Sequence, residues 1–409
     1  MSHIPPLQPK HTTTPCPLWV DHPRALFSVT HRMLGIILVV LAALIPLSTV
    51  AAAMPTPNVP EIAARGYLLL DFNSGKVIAE KNAYEQMEPA SLTKLMTAYI
   101  IFNELRAGNL QLTTEVLVSE KAWRMKGSKM FIEVNKRVSV EALLMGMIIQ
   151  SGNDASVALA EHVAGSEEAF ASLMNLHAGK LGMNGTHFVN STGMPDHEHY
   201  TTVHDLALLT RALIADFPEY YKWYSIKEFT YNDIRQHNRN ALLWRDKYVD
   251  GVKTGHTKSA GYCLISSALR DDMRLISIVL GTKSKESRSK ESQKLLNYGF
   301  RFFETRKLYS ANSQLTTSRI WKGAAEQLPL GIAEDLYITI PRGRYDQLDA
   351  SMKIDTKIIA PTAQGAQHGV VNISLDGETM VERPLIALQA VEEGSMFQRL
   401  SDEFSLLFE

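Results

Sequence analysis

Three short strings occur in one order along the chain: Ser91-Leu92-Thr93-Lys94, Ser151-Gly152-Asn153 and Lys253-Thr254-Gly255. Together they supply the parts of an acyl-transfer site, namely a hydroxyl nucleophile, two amines and polar groups to hold them. Singly they say little. Ser287-Arg288-Ser289-Lys290 repeats the first pattern and Ser310-Ala311-Asn312 the second, so both weaker strings have decoys. The order rejects these, because only one set runs nucleophile, Ser-x-Asn, Lys-Thr-Gly, and Lys-Thr-Gly occurs once. An amine three residues after a hydroxyl shares its helix face, and Pro89 just ahead marks a helix start, where a missing N–H costs nothing. A free lysine, with a pKa of about 10.4, is protonated at neutral pH and works as a base only if burial and a nearby cation lower that value. Lys94 is the expected base for Ser91, with Lys253 as the second cation and a proton relay through Ser151. Asn153 can both donate and accept, which suits holding Lys94 and a substrate carbonyl together. Gly255 lets a strand edge come close to a ligand.

The elements that must position these groups follow from hydrophobic period. Residues 66–71 and 77–78, around the turn at 73–75, read as two strands, and 249–253, 261–268 and 274–281 as an antiparallel meander. Between the groups, 92–105, 140–149, 154–163 and 202–214 carry apolar residues at three- and four-residue spacing. Thr202 with Asp205 three residues on is a helix start. The fold class is α+β: an antiparallel sheet built from both ends of the domain and flanked by helices, a helical lobe inserted between, and a cleft where they meet. After a helix over 291–303, residues 309–394 alternate as strands, with a hairpin turn at Asp376-Gly377, and predict a small all-β domain. Phe397, Leu400, Phe404, Leu407 and Phe408 recur at helical spacing over the last segment, 395–409.

The motif order is that of penicillin-binding proteins and class A β-lactamases. The strings at 89–96, 151–155, 237–240, 250–257, 298–305 and 383–385 make the chain resemble, along nearly all of its length, the low-molecular-mass D-alanyl-D-alanine carboxypeptidases of the penicillin-binding protein 5/6 type. The resemblance implies a β-lactamase/transpeptidase-like catalytic domain over 58–308. It implies removal of the terminal D-alanine from peptidoglycan stem peptides through an acyl-Ser91 intermediate, and acylation by β-lactam antibiotics. It places an oxyanion hole at the backbone amides of Ser91 and His256. A guanidinium fork suits a free terminal carboxylate, and the resemblance offers Arg239, in the 237–240 string, and Arg288, with Thr254 and His256 assisting. It also gives the C-terminal segment a peripheral membrane contact, although Arg399 is outnumbered there by Asp402, Glu403 and Glu409, which an anionic leaflet repels. A β-lactamase needs a Glu-bearing loop to drive deacylation, and no counterpart is recognisable. The alternative from another class is a non-catalytic penicillin-binding or cell-wall-docking protein.

An uncharged run at 34–47 after Arg32, ending in Ala51-Ala52-Ala53, has the form of a secretory signal, so residues 1–53 read as leader and the protein as periplasmic. Loss of that leader removes Cys16 and leaves Cys263 alone, so the fold rests on its core and not on a disulfide. A formal net charge of −1 gives no sign of nucleic acid. His197-Glu198-His199, with His187 and His204, lacks His-Glu-x-x-His spacing and reads as a polar loop at the cleft edge. No cofactor is implied.

Overall fold

The computed structural model describes residues 57–407. The expected leader, Cys16, Phe408 and Glu409 lie outside the described residues. The described chain divides into two compact units: Pro57–Leu315 with Gly331–Arg342, and Thr316–Leu330 with the residues from Gly343 onward.

In the first unit, β1 (Gly66–Asp71) and β2 (Val77–Lys81) join β3 (Val249–Thr257), β4 (Gly261–Arg270) and β5 (Met273–Thr282) in one antiparallel sheet. Its order is β2-β1-β5-β4-β3, so a strand from one end of the unit pairs with one from the other. Alternation along β1 shows how the sheet is packed on both faces. Leu68 and Leu70 join the apolar cluster of the helical lobe, while Tyr67 and Leu69 join a second cluster with Leu295 and Leu296, because successive strand side chains point to opposite faces.

The lobe is built on α1 (Lys94–Arg106), α2 (Asn153–Ala164) and α3 (Val203–Asp216). Every residue of α1 from 94 to 102 is buried, the mark of a helix inside a core and not on its surface. α3 starts where the sequence places it, with Thr202 Oγ1 accepting from the Asp205 amide at 3.0 Å, a cap of the kind worth about 1 kcal/mol.

Three helical readings shift. Ser91 lies on a 3₁₀ turn, Ala90–Thr93, and the α-helix begins only at Lys94. The helix read over 140–149 is α-helical through Met145 and then widens into a π turn, Gly146–Gln150, ending on Ser151 at φ 68°. The helix expected from 291 begins earlier, as α4 (Lys285–Phe302), capped by Ser284 Oγ accepting from the Ser287 amide at 3.1 Å. The charges crowding that first turn hid the cap in the sequence, and Arg288 is consequently a buried helix residue.

The second unit is dominated by a six-stranded sheet ordered Leu348–Ile354, Gln367–Leu375, Glu378–Ala387, Gln327–Gly331, Gln314–Trp321, Ile358–Ile359. Leu336–Pro341, read from sequence with the β-rich segment, instead pairs with Phe303–Tyr309 in the first unit. Alternation identifies a strand but not its partner. The chain then forms α5 (Met396–Ser405), opened by a capping box between Ser395 and Gln398. Among the described residues no helix is long and apolar enough to cross a membrane.

Candidate active site

Ser91 stands on a turn held tightly from two sides. Ala90, just before it, has φ 47°, a conformation uncommon for a residue with a side chain and one that concentrates at functional sites. A Cβ on Gly193 would sit 1.7 Å from the Ala90 carbonyl oxygen, and one on Gly255 would sit 3.1 Å from that of Pro89. The 189–194 segment therefore presses on the nucleophile turn where only glycine fits, and the Lys-Thr-Gly strand β3 passes close to the same turn. In a 3₁₀ turn residues three apart eclipse one another, which brings Lys94 Nζ to 3.2 Å from Ser91 Oγ.

Lys94 is 1% exposed. Besides Ser91, its amine meets Asn153 Oδ1 at 2.7 Å and the Thr192 carbonyl oxygen at 2.6 Å. Burial, and next the Arg239 charge, bring its pKa down to about 7, against the opposing pull of Asp154 and Glu167. A neutral amine has two hydrogens and one lone pair. The two carbonyl acceptors use the hydrogens, and the lone pair is left for the Ser91 hydroxyl. Lys94 and Lys253 repel each other as two buried amines, and Arg239 adds to the depression of both; Lys253 is lowered by burial, then by Lys94, Arg239 and Arg288.

Each partner of Lys94 is fixed in turn. Asn153 opens α2, and its Nδ2 donates to the Lys126 carbonyl at 2.7 Å with Met194 Sδ at 3.8 Å. Sulfur is a weak acceptor, so a substrate carbonyl can take that second hydrogen. Asp154 accepts from the Met130 and Phe131 amides at 3.0 and 2.9 Å, clamping the loop that carries Lys126. Thr192 is held through its neighbour: Glu167 Oε1 accepts from both the amide and the hydroxyl of Ser191, at 3.0 and 2.8 Å. Ser151, in its left-handed conformation at the end of the π turn, accepts from Lys253 Nζ at 2.8 Å. The three strings thus form two hydrogen-bonded sets, Ser91 and Asn153 around Lys94 and Ser151 on Lys253, and Ser91, Ser151, Asn153, Thr254 and Gly255 line one cleft.

That cleft, of about 740 Å³, is lined by His256 as well and is within the range of small-molecule sites. Arg239 and Arg288 line it too. Arg239 Nε donates to Gln150 Oε1 at 3.4 Å. Arg288 is braced, with Nη1 donating to the Gly255 carbonyl at 3.3 Å and Nη2 to the Arg239 carbonyl at 3.4 Å, so it ties β3 to the Arg239 segment as well as facing the cleft. The His256 ring lies against Tyr262, centroids 4.0 Å apart. Sequence reasoning missed Gly127, Ser128, Thr192, Gly193, Met194 and Lys285, all of which line the cleft. None belongs to a recognisable string, and Thr192 acts through its main chain.

The histidine loop is more built than a polar cleft edge. His199 is 2% exposed, and burial draws its pKa down to about 4. Nδ1 accepts from the Val189 amide at 3.1 Å, which places the proton on Nε2, 2.8 Å from Thr93 Oγ1. It joins this loop to the nucleophile turn. Among the described residues no three His, Cys, Asp or Glu gather as metal ligands.

Comparison with known proteins gives a family. A model described as D-alanyl-D-alanine carboxypeptidase matches residues 52–284, and one described as the C-terminal domain of penicillin-binding protein 5 matches residues 303–393. D-alanyl-D-alanine carboxypeptidase DacA of Escherichia coli is 44% identical over 360 residues, covering 86% of this chain and 89% of that protein. Penicillin-binding protein 5 from Haemophilus influenzae superposes with a TM-score of 0.80 at 40% identity, over 83% of this chain and all of that one. Penicillin-binding protein D2 from Listeria monocytogenes in its ampicillin-bound form gives a TM-score of 0.55 at 32% identity, over 60% of this chain and 99% of that one. With the family model spanning more than half of its length, this chain belongs to the D-alanyl-D-alanine carboxypeptidase family.

Proposed function

We propose that the protein is a serine-type D-Ala-D-Ala carboxypeptidase that removes the terminal D-alanine from peptidoglycan stem peptides and is acylated by β-lactams. The observation that carries this is the setting of Lys94: a buried amine whose hydrogens are taken by Asn153 Oδ1 and the Thr192 carbonyl and whose lone pair faces Ser91 Oγ. Lys94 takes the Ser91 proton as Oγ attacks the penultimate D-alanine carbonyl. The amides of Ser91 and His256 receive the oxyanion, where one such donor is worth about 3 kcal/mol in the transition state. Ser151 and Lys253 pass the proton to the leaving amine, and Arg239 with Thr254 receives the terminal carboxylate, Arg288 bracing that end. Water then releases the shortened peptide. The ampicillin-bound form of the Listeria relative supports β-lactams as ligands of this protein.

The catalytic domain spans 58–308 in this reading, the β-rich domain 309–394 and the terminal helix 395–409. Residues 1–53 direct export to the periplasm, and the terminal helix rests on the periplasmic face of the inner membrane.

The test is release of D-alanine from a pentapeptide ending D-Ala-D-Ala, alongside labelling by fluorescent penicillin. Wild type does both, and Ser91→Ala does neither. Labelling of Ser91→Ala would show that the nucleophile is elsewhere. Labelling of wild type without release would leave a penicillin-binding protein that does not turn over.

A further inference from the structure

The cleft carries more positive charge than one terminal carboxylate answers. Arg239, Lys285 and Arg288 all line it, and no Asp or Glu does. Arg239 reaches Gln150 through Nε, and among the described residues neither of its Nη groups has a partner, which leaves both for a ligand. Arg288 has its two Nη groups on the carbonyls of Gly255 and Arg239. Lys285 is different: it is the first residue of α4, its side chain is exposed, and among the described residues no carboxylate lies within ion-pair distance of it. Its neighbour Glu286 is held first by its own backbone and by Ser284 at the same helix start, and it feels the Lys285 charge only after these. The Lys285 charge nevertheless acts in the cleft, since it helps hold His256 below the usual histidine range, after burial and Arg288.

A peptide ending in D-alanine brings one carboxylate, which Arg239 and Thr254 take in the reading above. Lys285, which lines the same cleft and whose charge reaches His256, is then a cation to which that ligand offers nothing. We propose that this end of the cleft is a subsite for an acidic side chain on the terminal residue, so that the protein also releases terminal D-glutamate, with Lys285 pairing the side-chain carboxylate. The inference rests on the carboxypeptidase reading and extends its substrate class. The chemistry is unaltered. Ser91 Oγ forms an ester with the penultimate D-alanine carbonyl, the C–N bond to D-glutamate breaks, the leaving amine takes the proton, and water cleaves the ester.

The experiment compares three peptides that differ only in the last residue: D-Ala, D-Glu and its neutral isostere D-Gln. The informative quantity is the kcat/KM ratio of the D-Glu to the D-Gln peptide, from which size and shape cancel. Lys285→Ala lowers that ratio about fivefold, the size expected of one partly exposed ion pair, Lys285→Glu lowers it further, and Lys285→Arg restores it. Raising the salt concentration lowers the wild-type ratio but not that of Lys285→Ala. Thermal melting confirms that each variant is folded. The subsite is overturned if wild type releases no D-glutamate, or if the ratio is the same in wild type and Lys285→Ala. Failure of folded wild type to release D-alanine, by contrast, removes the carboxypeptidase reading beneath it.

Discussion

Lys94 must be unprotonated to accept the Ser91 proton, so the direction of its pKa shift dictates how the reaction answers to pH. With burial and Arg239 bringing the value down to about 7, the reactive fraction rises with pH and falls about tenfold for each unit below that point. The second-order rate of penicillin acylation is expected to climb through about pH 7 and level off above it; a profile flat from pH 5.5 to 8.5 would remove Lys94 as the base. Arg239 depresses Lys94, so Arg239→Ala moves the rising limb to higher pH, a displacement that loss of substrate contacts alone does not produce. Lys94→Arg keeps a positive charge that cannot leave, and acylation drops at least ~10²-fold. Ser91, Lys94, Ser151, Asn153 and Lys253 were all legible in the sequence, because side-chain chemistry fixes residue type and the strings run in a set order. Thr192 was not, since a main-chain carbonyl places no demand on residue type. Lys285 was not either, because an isolated lysine in a charged run reads as solvated surface.

At the scale of elements, the geometry of the nucleophile turn depends on three segments far apart in sequence: 90–93, β3, and the loop 189–199. Gly193 has φ +82° and no space for a Cβ, which would fall 1.7 Å from the Ala90 oxygen and 2.8 Å from Thr93 Oγ1. Gly193→Ala must move either the loop or the turn. It is expected to destabilise the protein by roughly 2 kcal/mol or more, from backbone strain and steric conflict together. It should also slow acylation at conditions where the variant remains folded, because Thr192, next to it, holds Lys94. Denaturant unfolding and penicillin labelling rates measure the two effects; normal labelling would mean that the loop does not position the amine. Sequence period found the helices and strands but not these junctions. The 3₁₀ turn before Lys94 and the π turn before Ser151 are short departures from 3.6-residue periodicity, and each ends at a chemical group. A pattern averaged over many residues passes over them. The terminal pairing of Leu336–Pro341 with Phe303–Tyr309 escaped for a related reason: local alternation is the same whichever unit supplies the partner.

For the whole molecule, the open matter is what meets the apolar face of α5. Helical period gives the last segment an apolar face without saying whether a membrane or the β-domain covers it. In the folded unit Phe397, Leu400, Phe404 and Leu407 are 87, 62, 65 and 75% exposed. Two of the acids have partners: half-buried Asp402 accepts from the Lys322 amide and from Arg319, and exposed Glu403 pairs with Lys322. That pairing changes the electrostatic argument. Asp402 and Glu403, which looked set to repel an anionic leaflet, are answered within their own unit, leaving apolar burial to set the affinity, at about 1.5 kcal/mol or more for each large side chain fully taken up by lipid. The full chain is therefore expected to float with phosphatidylcholine vesicles, and replacing a third of the lipid by phosphatidylglycerol should change the bound fraction little. Phe397→Ser with Leu400→Ser should leave the protein at the bottom of the gradient while D-alanine release from a soluble pentapeptide stays at the wild-type rate, because neither residue lines the cleft. Flotation of the double variant equal to wild type would place the lipid contact on another surface, and binding that appears only with anionic lipid would mean that charge, not the exposed apolar face, drives attachment.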